Sequence, residues 1–353
     1  MSNEKLNKKL FELIDDDTIS SELKLKKMKY FTNIGANINW FSVKGEFLLS
    51  KSKDVRVVEF LIKNGADVNF RNKRLETPLF YVETKDVADV LIKNGADVNV
   101  IDDSNRTPLI ASCYGKDEVL EVLIKNNADL EMKDSLGKTA LSIASSLGNK
   151  KAVMLLVEKG ADVNSLNVWG DTPLFEAINK NDFEMVKLLV EKGADVNLRS
   201  SWERDALYYA IREKNEEMAR YLVDNGAEVN RKTKGGKILD TPLCASVCAG
   251  MTEFAKFLVD KGADINDVNI AGNSALMCAI NYDRMELIEF FIGKNCDLDI
   301  KNNRGLNVFD LAKKNGEVVY RRLMEAIRQK EMFMMREKIK NNFSKILTKV
   351  CGR

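Results

Sequence analysis

The sequence contains no histidine and only four prolines among its 353 residues. Histidine is the commonest general acid or base near neutral pH and a frequent zinc ligand. Its absence excludes the serine hydrolases that depend on a histidine base and the metal sites that depend on imidazole. We therefore expect a protein that is not an enzyme, with no catalytic residues, no metal and no cofactor.

The chain also lacks a strong net charge and long apolar runs. The formal charge is +2, which predicts no bulk attraction to nucleic acid, so nucleic acid is not an expected partner. No run approaches the roughly 18 apolar residues of a membrane span, and residues 1–17 lack the apolar core of a signal peptide. Six cysteines without framework spacing suit a reducing compartment. We expect a cytoplasmic monomer.

A five-residue motif recurs along most of the sequence. The string GADVN begins at Gly65, Gly95, Gly160 and Gly193, and related strings begin at Gly35, Asn127, Gly226, Gly262 and Asn295. Successive starts lie 30 to 36 residues apart. A period of this length predicts a solenoid, in which each repeat packs only on its neighbours.

Each repeat contains the same helix signals. Apolar residues precede the motif at helical spacing, as in Val186, Leu189 and Val190. The motif then begins with glycine, which favours the left-handed backbone that ends a helix, or with asparagine at 127 and 295. Each motif is followed by a residue that can cap the start of a helix, except where Phe47 stands at that position. In most repeats the capping residue lies eight residues after the end of the motif. The capping residues are Thr77, Thr107, Thr139, Thr172, Asp205, Thr241, Ser274 and Asn307.

These signals closely resemble the ankyrin repeat. Thr-Pro-Leu stands at residues 77–79, 107–109, 172–174 and 241–243, and the resemblance extends from about residue 5 to residue 330. It implies an all-α ankyrin-repeat solenoid of about nine or ten helix-turn-helix units with β-hairpin-like turns. The histidine that follows Thr-Pro-Leu in the family is absent throughout, which implies apolar packing in place of a side-chain-to-turn hydrogen bond.

We divide the chain into three parts. Residues 1–34 are expected to form an N-terminal capping helix pair, residues 35–330 the ankyrin repeat stack, and residues 331–353 a basic amphipathic C-terminal helical tail. The 30- and 32-residue repeats are predicted to be short in their first helix. Eleven residues instead of eight separate Asn230 from Thr241, which predicts a longer turn there.

Two sequences imitate chemical sites. Residues 137–139 read Gly-Lys-Thr, but the earlier glycine of a phosphate-binding loop is replaced by Met132. Cys244 and Cys248 lie four residues apart on a predicted helix, although a structural zinc site needs four ligands. We interpret both cysteines as core residues.

The tips of the inter-repeat turns change character along the chain. In order, they are Lys44, Arg74, Ser104, Leu136, Trp169, Trp202, Ile238, Ala271 and Arg304. Four large apolar residues occupy consecutive tips in the middle, where solvent-facing turns have no structural need for tryptophan. Tryptophan is enriched at binding hot spots, although each ring could instead fold back over its own turn.

We therefore predict a scaffold that binds a partner protein or peptide, of unknown identity, through the concave face and the turn tips. Trp169 and Trp202 are the predicted anchors, and Leu136 and Ile238 extend the apolar patch. Charged residues just before the helix caps supply a rim, and the longer turn adds a basic arm. The predicted rim residues are Arg106, Lys138, Asp171, Arg204 and Asp240, and the predicted arm residues are Arg231, Lys232, Lys234 and Lys237.

The tail supports different interpretations. Residues 321–353 hold ten Lys and Arg against three Glu, a net charge of +7 that leaves −5 on the remainder. Apolar residues including Ile339 and Phe343 fall at helical spacing. A basic helix of this kind can attach the chain to an anionic membrane surface through residues 331–353, bind nucleic acid or enter a partner's groove. It can also cap the last repeat. A chain that acts as an effector in another cell's cytosol is a further alternative.

Overall fold

A computed structural model describes residues 3–16, 18–231 and 241–351, with side chains described throughout except at residues 15 and 342–351. The chain divides into two compact units, Met1–Asp195 and Val196–Arg353. Each unit is built from successive helix pairs. Within the described residues, extended structure is limited to two isolated antiparallel bridges, one in each unit. The all-α class predicted from the repeats is confirmed.

The described residues of the first unit form eleven α-helices and one short 3-10 helix at Pro78–Phe80. The helices are α1 (Asn3–Asp15), α2 (Ser21–Asn33), α3 (Leu48–Lys51), α4 (Val55–Lys63), α5 (Lys85–Lys93), α6 (Pro108–Ser112), α7 (Asp117–Lys125), α8 (Ala140–Ser146), α9 (Lys150–Glu158), α10 (Pro173–Asn179) and α11 (Phe183–Glu191). The pair formed by α1 and α2 spans the stretch in which we expected a capping pair.

The second unit continues the same alternation with eight helices among its described residues. They are α12 (Ala206–Arg212), α13 (Glu216–Asp224), α14 (Pro242–Ala249), α15 (Thr252–Asp260), α16 (Ala275–Asn281), α17 (Met285–Gly293), α18 (Val308–Asn315) and α19 (Glu317–Cys351). The last helix, with 35 residues, is far longer than the others.

The second helix of each repeat has a fixed length, and the first helix does not. The second helices α4, α5 and α7 have nine residues each, whereas the first helices before them have four, three and five. Later first helices have seven or eight residues. The shorter period of the early repeats is therefore absorbed by the first helix, as predicted.

Helix starts and stops follow the sequence signals. The hydroxyl of Thr172 accepts a hydrogen bond from the Phe175 amide at 3.3 Å, and Thr107 and Thr139 cap their helices in the same way. Asn127 and Asn295, which replace the terminating glycine, both have φ of 62°. Thr77 is an exception to the prediction: a 3-10 turn follows it, and its buried hydroxyl caps no amide.

Motif asparagines join successive repeats. The Asn69 carboxamide donates to the Gly95 carbonyl at 2.8 Å and accepts from the Asp97 amide at 2.9 Å. In the second unit, Asn230 bonds in the same way to Gly262 and Asp264. Each such side chain satisfies one backbone carbonyl and one amide of the next repeat, so the motif asparagine also joins the repeats in the stack.

The position of the family's histidine is filled mostly by buried apolar residues. Phe175, Ile110 and Met277 are buried there, while Ser142 lies near the Thr139 hydroxyl, at an oxygen-to-oxygen distance of 3.3 Å. Burying side chains of this size contributes about 1.5–3 kcal/mol each. Apolar packing thus takes the place of a polar contact, as the sequence indicates.

Candidate functional site

The turn tips are held by side chains two residues before them. Asn167 accepts hydrogen bonds through Oδ1 from the amides of Trp169 and Asp171, both at 2.9 Å. Asp134 binds the amides of Leu136 and Lys138 in the same arrangement, also at 2.9 Å. This is the Asx-turn, in which a short polar side chain closes the backbone. The tip backbone is therefore fixed without help from the tip side chain.

Neighbouring tips in the first unit are also bonded to each other. The Ser135 amide donates to the Ser104 carbonyl at 2.8 Å, and the Val168 amide donates to the Leu136 carbonyl at 3.1 Å. Gly137 lies against this second contact: a Cβ atom on it would come within 2.8 Å of the Val168 nitrogen. The turns that carry Ser104, Leu136 and Val168 therefore form a continuous hydrogen-bonded edge.

Large apolar side chains project from this edge. Leu136 is 45% exposed, Trp169 is 42% exposed and Val168 is 59% exposed. Leu166, two residues before Val168, is also exposed. We call these four residues the Trp169 patch. Because Trp169 is 42% exposed, part of this side chain remains open to a ligand.

Two members of the patch were missed by sequence reasoning. Val168 and Leu166 precede the tip, and only the tip positions were considered. Their signal is the spacing of two residues between the apolar side chains of Leu166 and Val168 in the segment before the tip. Alternation of this kind places side chains on one side of an extended segment.

Trp202 occupies the equivalent tip in the second unit. Its ring is 60% exposed, and its amide donates to the Ser200 hydroxyl at 3.3 Å. Glu203 follows with a φ of 58°, at the position that Gly137 and Gly170 occupy in the two preceding repeats. The third tryptophan differs: Trp40 packs edge-on against Phe11, with ring centroids 5.6 Å apart, and is half-buried. Two tryptophans are thus at turn tips, and one packs on the N-terminal helix pair.

The predicted rim residues take part in local contacts. Lys138 forms an ion pair with Glu176 at 2.7 Å, and both side chains are largely covered. The Arg204 guanidinium lies 5.2 Å from the centre of the Tyr208 ring. Asp171 is half-buried beside the Trp169 turn. The rim is therefore made of charges that are already engaged within the protein.

The predicted basic arm is only partly described. Lys232, Lys234, Lys237, Ile238 and Asp240 lie outside the described residues. At the start of this turn, Arg231 is buried and forms an ion pair with the Asp205 carboxylate, and its Nη2 donates to the Asn197 carbonyl at 2.8 Å. The sequence predicts that Arg231 belongs to an exposed arm. This prediction is wrong, because the side chain is buried.

The charged end of the tip row is built differently from the Trp169 patch. Arg74 and Arg106 flank the buried carboxylate of Glu76, at 3.1 and 3.4 Å, and Arg106 also pairs with the buried Asp102 at 2.7 Å. The Tyr81 hydroxyl donates to Glu76, and burial is the main cause that raises its pKa. These contacts join consecutive repeats, so the charged tips serve stability.

Four of the cysteines whose side chains are described have the character of core residues, and Cys248 is half-buried. Cys113 and Cys244 are buried, and burial raises the pKa of the Cys113 thiol to about 12. The pKa of Cys278 is raised by hydrogen bonds to the thiols of Cys244 and Cys248 and by burial. A protonated thiol is a poor nucleophile and metal ligand. Among the described residues, no three acidic or cysteine side chains are grouped to hold a metal ion.

The C-terminal helix has two parts. Its beginning packs on α17 and α18, where Val319, Leu323 and Ala326 are buried. Farther along the helix, residues 331–336 are all exposed, and some of them, including Phe333, line a groove beside α17. Among the helices that the structure describes, none has the length and apolar character needed to cross a membrane.

Comparison with known families identifies the fold. The model for ankyrin repeats, in three copies, matches residues 47–134, 83–167, 111–200, 141–233 and 233–302. No curated protein matches the chain as a relative. Ankyrin repeats are in general protein–protein interaction modules, and proteins built from them are typically non-enzymatic scaffolds. Because the matches together span residues 47–302, well over half of the sequence, the chain belongs to the ankyrin-repeat family.

Proposed function

We propose that this protein binds another protein or peptide through the Trp169 patch. The observation that carries the proposal is an exposed apolar cluster on a backbone edge that is held by its own hydrogen bonds. Exposed tryptophan and aliphatic side chains gain free energy when a partner excludes water from them, at about 25 cal/mol per Å² of apolar surface. Nothing in the fold of the turn requires them.

Rigidity of the patch favours affinity. Binding costs conformational entropy wherever loops and side chains become ordered in the complex. The Asx bonds of Asn167 and Asp134 and the contact between Val168 and Leu136 fix the backbone in advance. The partner therefore meets an ordered surface, and less of the contact energy is lost to ordering.

The patch fits a partner with an apolar anchor surrounded by polar groups. Lys138 and Asp171 stand beside it with opposite charge, which is the usual composition of an interface rim. Since Lys138 is already paired with Glu176, we assign it a part in excluding water rather than in net attraction.

We assign Trp202 the role of a second anchor, in the repeat that follows. Its exposure supports this role. We also propose that Ile238 adds apolar area to the binding surface. Lys234 and Lys237 would then contact an acidic group on the partner. We further propose that the chain works as a cytoplasmic monomer, and the cytoplasmic placement is supported by six cysteines that lack the spacing of a disulfide framework.

The test compares three baits in affinity capture from the native cytosol: the unmodified chain, a Trp169→Ala, Trp202→Ala chain and a Tyr114→Ala chain. Tyr114 is an exposed aromatic residue outside the tip row and serves as the matched control. Circular dichroism first establishes that each bait is folded. We expect a protein that is retained by the unmodified chain and the control and lost from the double variant. Equal retention by all three baits would contradict the proposal.

A further inference from the structure

Three exposed apolar residues of α19 share one side of the helix. Met332, Met335 and Ile339 follow one another at spacings of three and four residues, and they are 50%, 66% and 60% exposed. On a helix this spacing produces a single stripe. Phe333 and Met334, which are also exposed, lie on other sides, and together with Met332 they line a groove beside α17. Met335 and Ile339 do not line this groove.

Basic residues accompany the stripe. Arg328, Arg336, Lys338 and Lys340 lie along the same stretch of helix, against Glu331 and Glu337. Lys340 is 3.9 Å from Glu337 in an exposed pair, which water screens strongly. The whole segment 321–353 has a net charge of +7, while the remainder of the chain has −5.

We propose that residues 328–341 of α19 bind the surface of an anionic phospholipid membrane. Met332, Met335 and Ile339 insert at the boundary between headgroups and acyl chains, and the Arg and Lys side chains reach the phosphate and carboxylate groups of the lipids. A helix that lies in the plane of the membrane surface is bound by the burial of its apolar area and by attraction between its basic residues and anionic lipids.

The charge distribution favours a membrane over a second copy of the chain. Two tails with a net charge of +7 repel each other, which opposes pairing through this helix. The acidic remainder is repelled from an anionic surface, so the tail alone lies on it. The buried residues at the start of α19, including Leu323, connect the tail rigidly to the last repeat. Membrane binding would thus present the repeats to the solvent at a fixed distance.

The test is co-sedimentation of the full chain with phosphatidylcholine vesicles, with and without phosphatidylserine. We expect binding only to the vesicles with phosphatidylserine, and binding that falls as salt is added. A Met335→Ser, Ile339→Ser chain and a Lys338→Gln, Lys340→Gln chain should each lose about tenfold in affinity, since the first removes apolar area and the second removes charge.

Two controls separate the tail from general effects. Val318→Ser removes an apolar residue of similar exposure from the start of the same helix, and Lys26→Gln, Lys29→Gln removes two exposed charges from α2. Both should bind vesicles like the unmodified chain. Absence of binding, equal binding to both vesicles, or equal losses in the controls would overturn the proposal. So would binding to single-stranded RNA or to an acidic polypeptide that vesicles with phosphatidylserine fail to displace.

Discussion

At the charged end and at the apolar end of the tip row in the first unit, the turns have the same backbone hydrogen bonds. The tip side chains at the two ends have different roles. The Asn72 side chain accepts a hydrogen bond from the Arg74 amide at 2.8 Å, and the Asn167 side chain accepts one from the Trp169 amide at 2.9 Å. Arg74 then pairs with a buried carboxylate, whereas Trp169 leaves part of its ring in water. The comparison shows that the turn needs neither residue, so each side chain serves a purpose beyond local folding.

The second unit allows the sharpest test of this difference, because a tip and a buried charge lie three residues apart. Asp205→Asn keeps a helix cap but removes the buried counter-charge of Arg231, which keeps only the exposed Glu228 at 3.4 Å. Breaking a buried pair on one side costs about 3 kcal/mol. We expect the free energy of unfolding, measured in urea, to fall by this amount in the Asp205→Asn chain. The neighbouring Trp202→Ala change should leave it within about 0.5 kcal/mol of the value for the unmodified chain. Equal effects of the two changes would remove the distinction.

Gly137→Ala tests the backbone under the Trp169 patch. Gly137 has a φ of 73°, and an added Cβ would meet the Val168 nitrogen at 2.8 Å. Left-handed strain and this contact together should cost about 2 kcal/mol of unfolding free energy. Hydrogen exchange should show a less protected Val168 amide. Unchanged protection would mean that the edge between Leu136 and Val168 is looser than described.

Glu76→Gln tests the charged end. The carboxylate pairs with Arg74 and Arg106, which are both partly exposed, so solvent reduces the loss. We expect a decrease of about 1 kcal/mol in unfolding free energy, and no change in the protein retained by the Trp169 patch. Loss of that protein would assign binding to the charged end of the row instead.

Leu75→Asn is a change that should stabilise. Leu75 has a φ of 62°, a strained conformation for leucine that Asn105 adopts at the same place in the next repeat. Asparagine tolerates this region well. A gain of about 0.5 kcal/mol is expected in urea unfolding. A net loss would show that the half-exposed leucine side chain contributes packing that outweighs its strain.

Trp169→Ala should have the smallest effect on stability and the largest on binding. The Asx bond that fixes the turn comes from Asn167 and survives the change. We expect unfolding free energy within about 0.5 kcal/mol of the unmodified chain. Hot-spot tryptophans cost 2 kcal/mol or more in binding, about 30-fold in affinity. A large destabilisation would instead assign Trp169 to the fold.

Much of this architecture follows from short-range signals in the sequence. Helix stops at Asn127 and Asn295 and caps such as Thr172 depend on local backbone chemistry, which a single repeat already contains. The tip position of Trp169 follows from the same counting. The predicted helix cap at Thr77 is wrong because this repeat has too few residues for a full first helix. A 3-10 turn forms instead, and the Thr77 hydroxyl accepts no hydrogen bond from its amides.

Long-range pairing could not be predicted in the same way. Arg231 is buried in an ion pair with Asp205, which lies 26 residues earlier in the chain. Lys138 pairs with Glu176, which lies in the next repeat. Charge alone does not distinguish an exposed arginine from a paired one. Likewise, Val168 joins the patch because its amide bonds to the Leu136 carbonyl across repeats, a contact that no local pattern encodes.

The most direct test of the central claim follows Trp169 itself. A Trp40→Phe, Trp202→Phe chain leaves Trp169 as the single tryptophan, and its emission is recorded while the captured protein is added. The account predicts a blue shift that saturates with binding, because the partner removes water from the exposed part of the ring. Binding of the captured protein with unchanged Trp169 emission would contradict it.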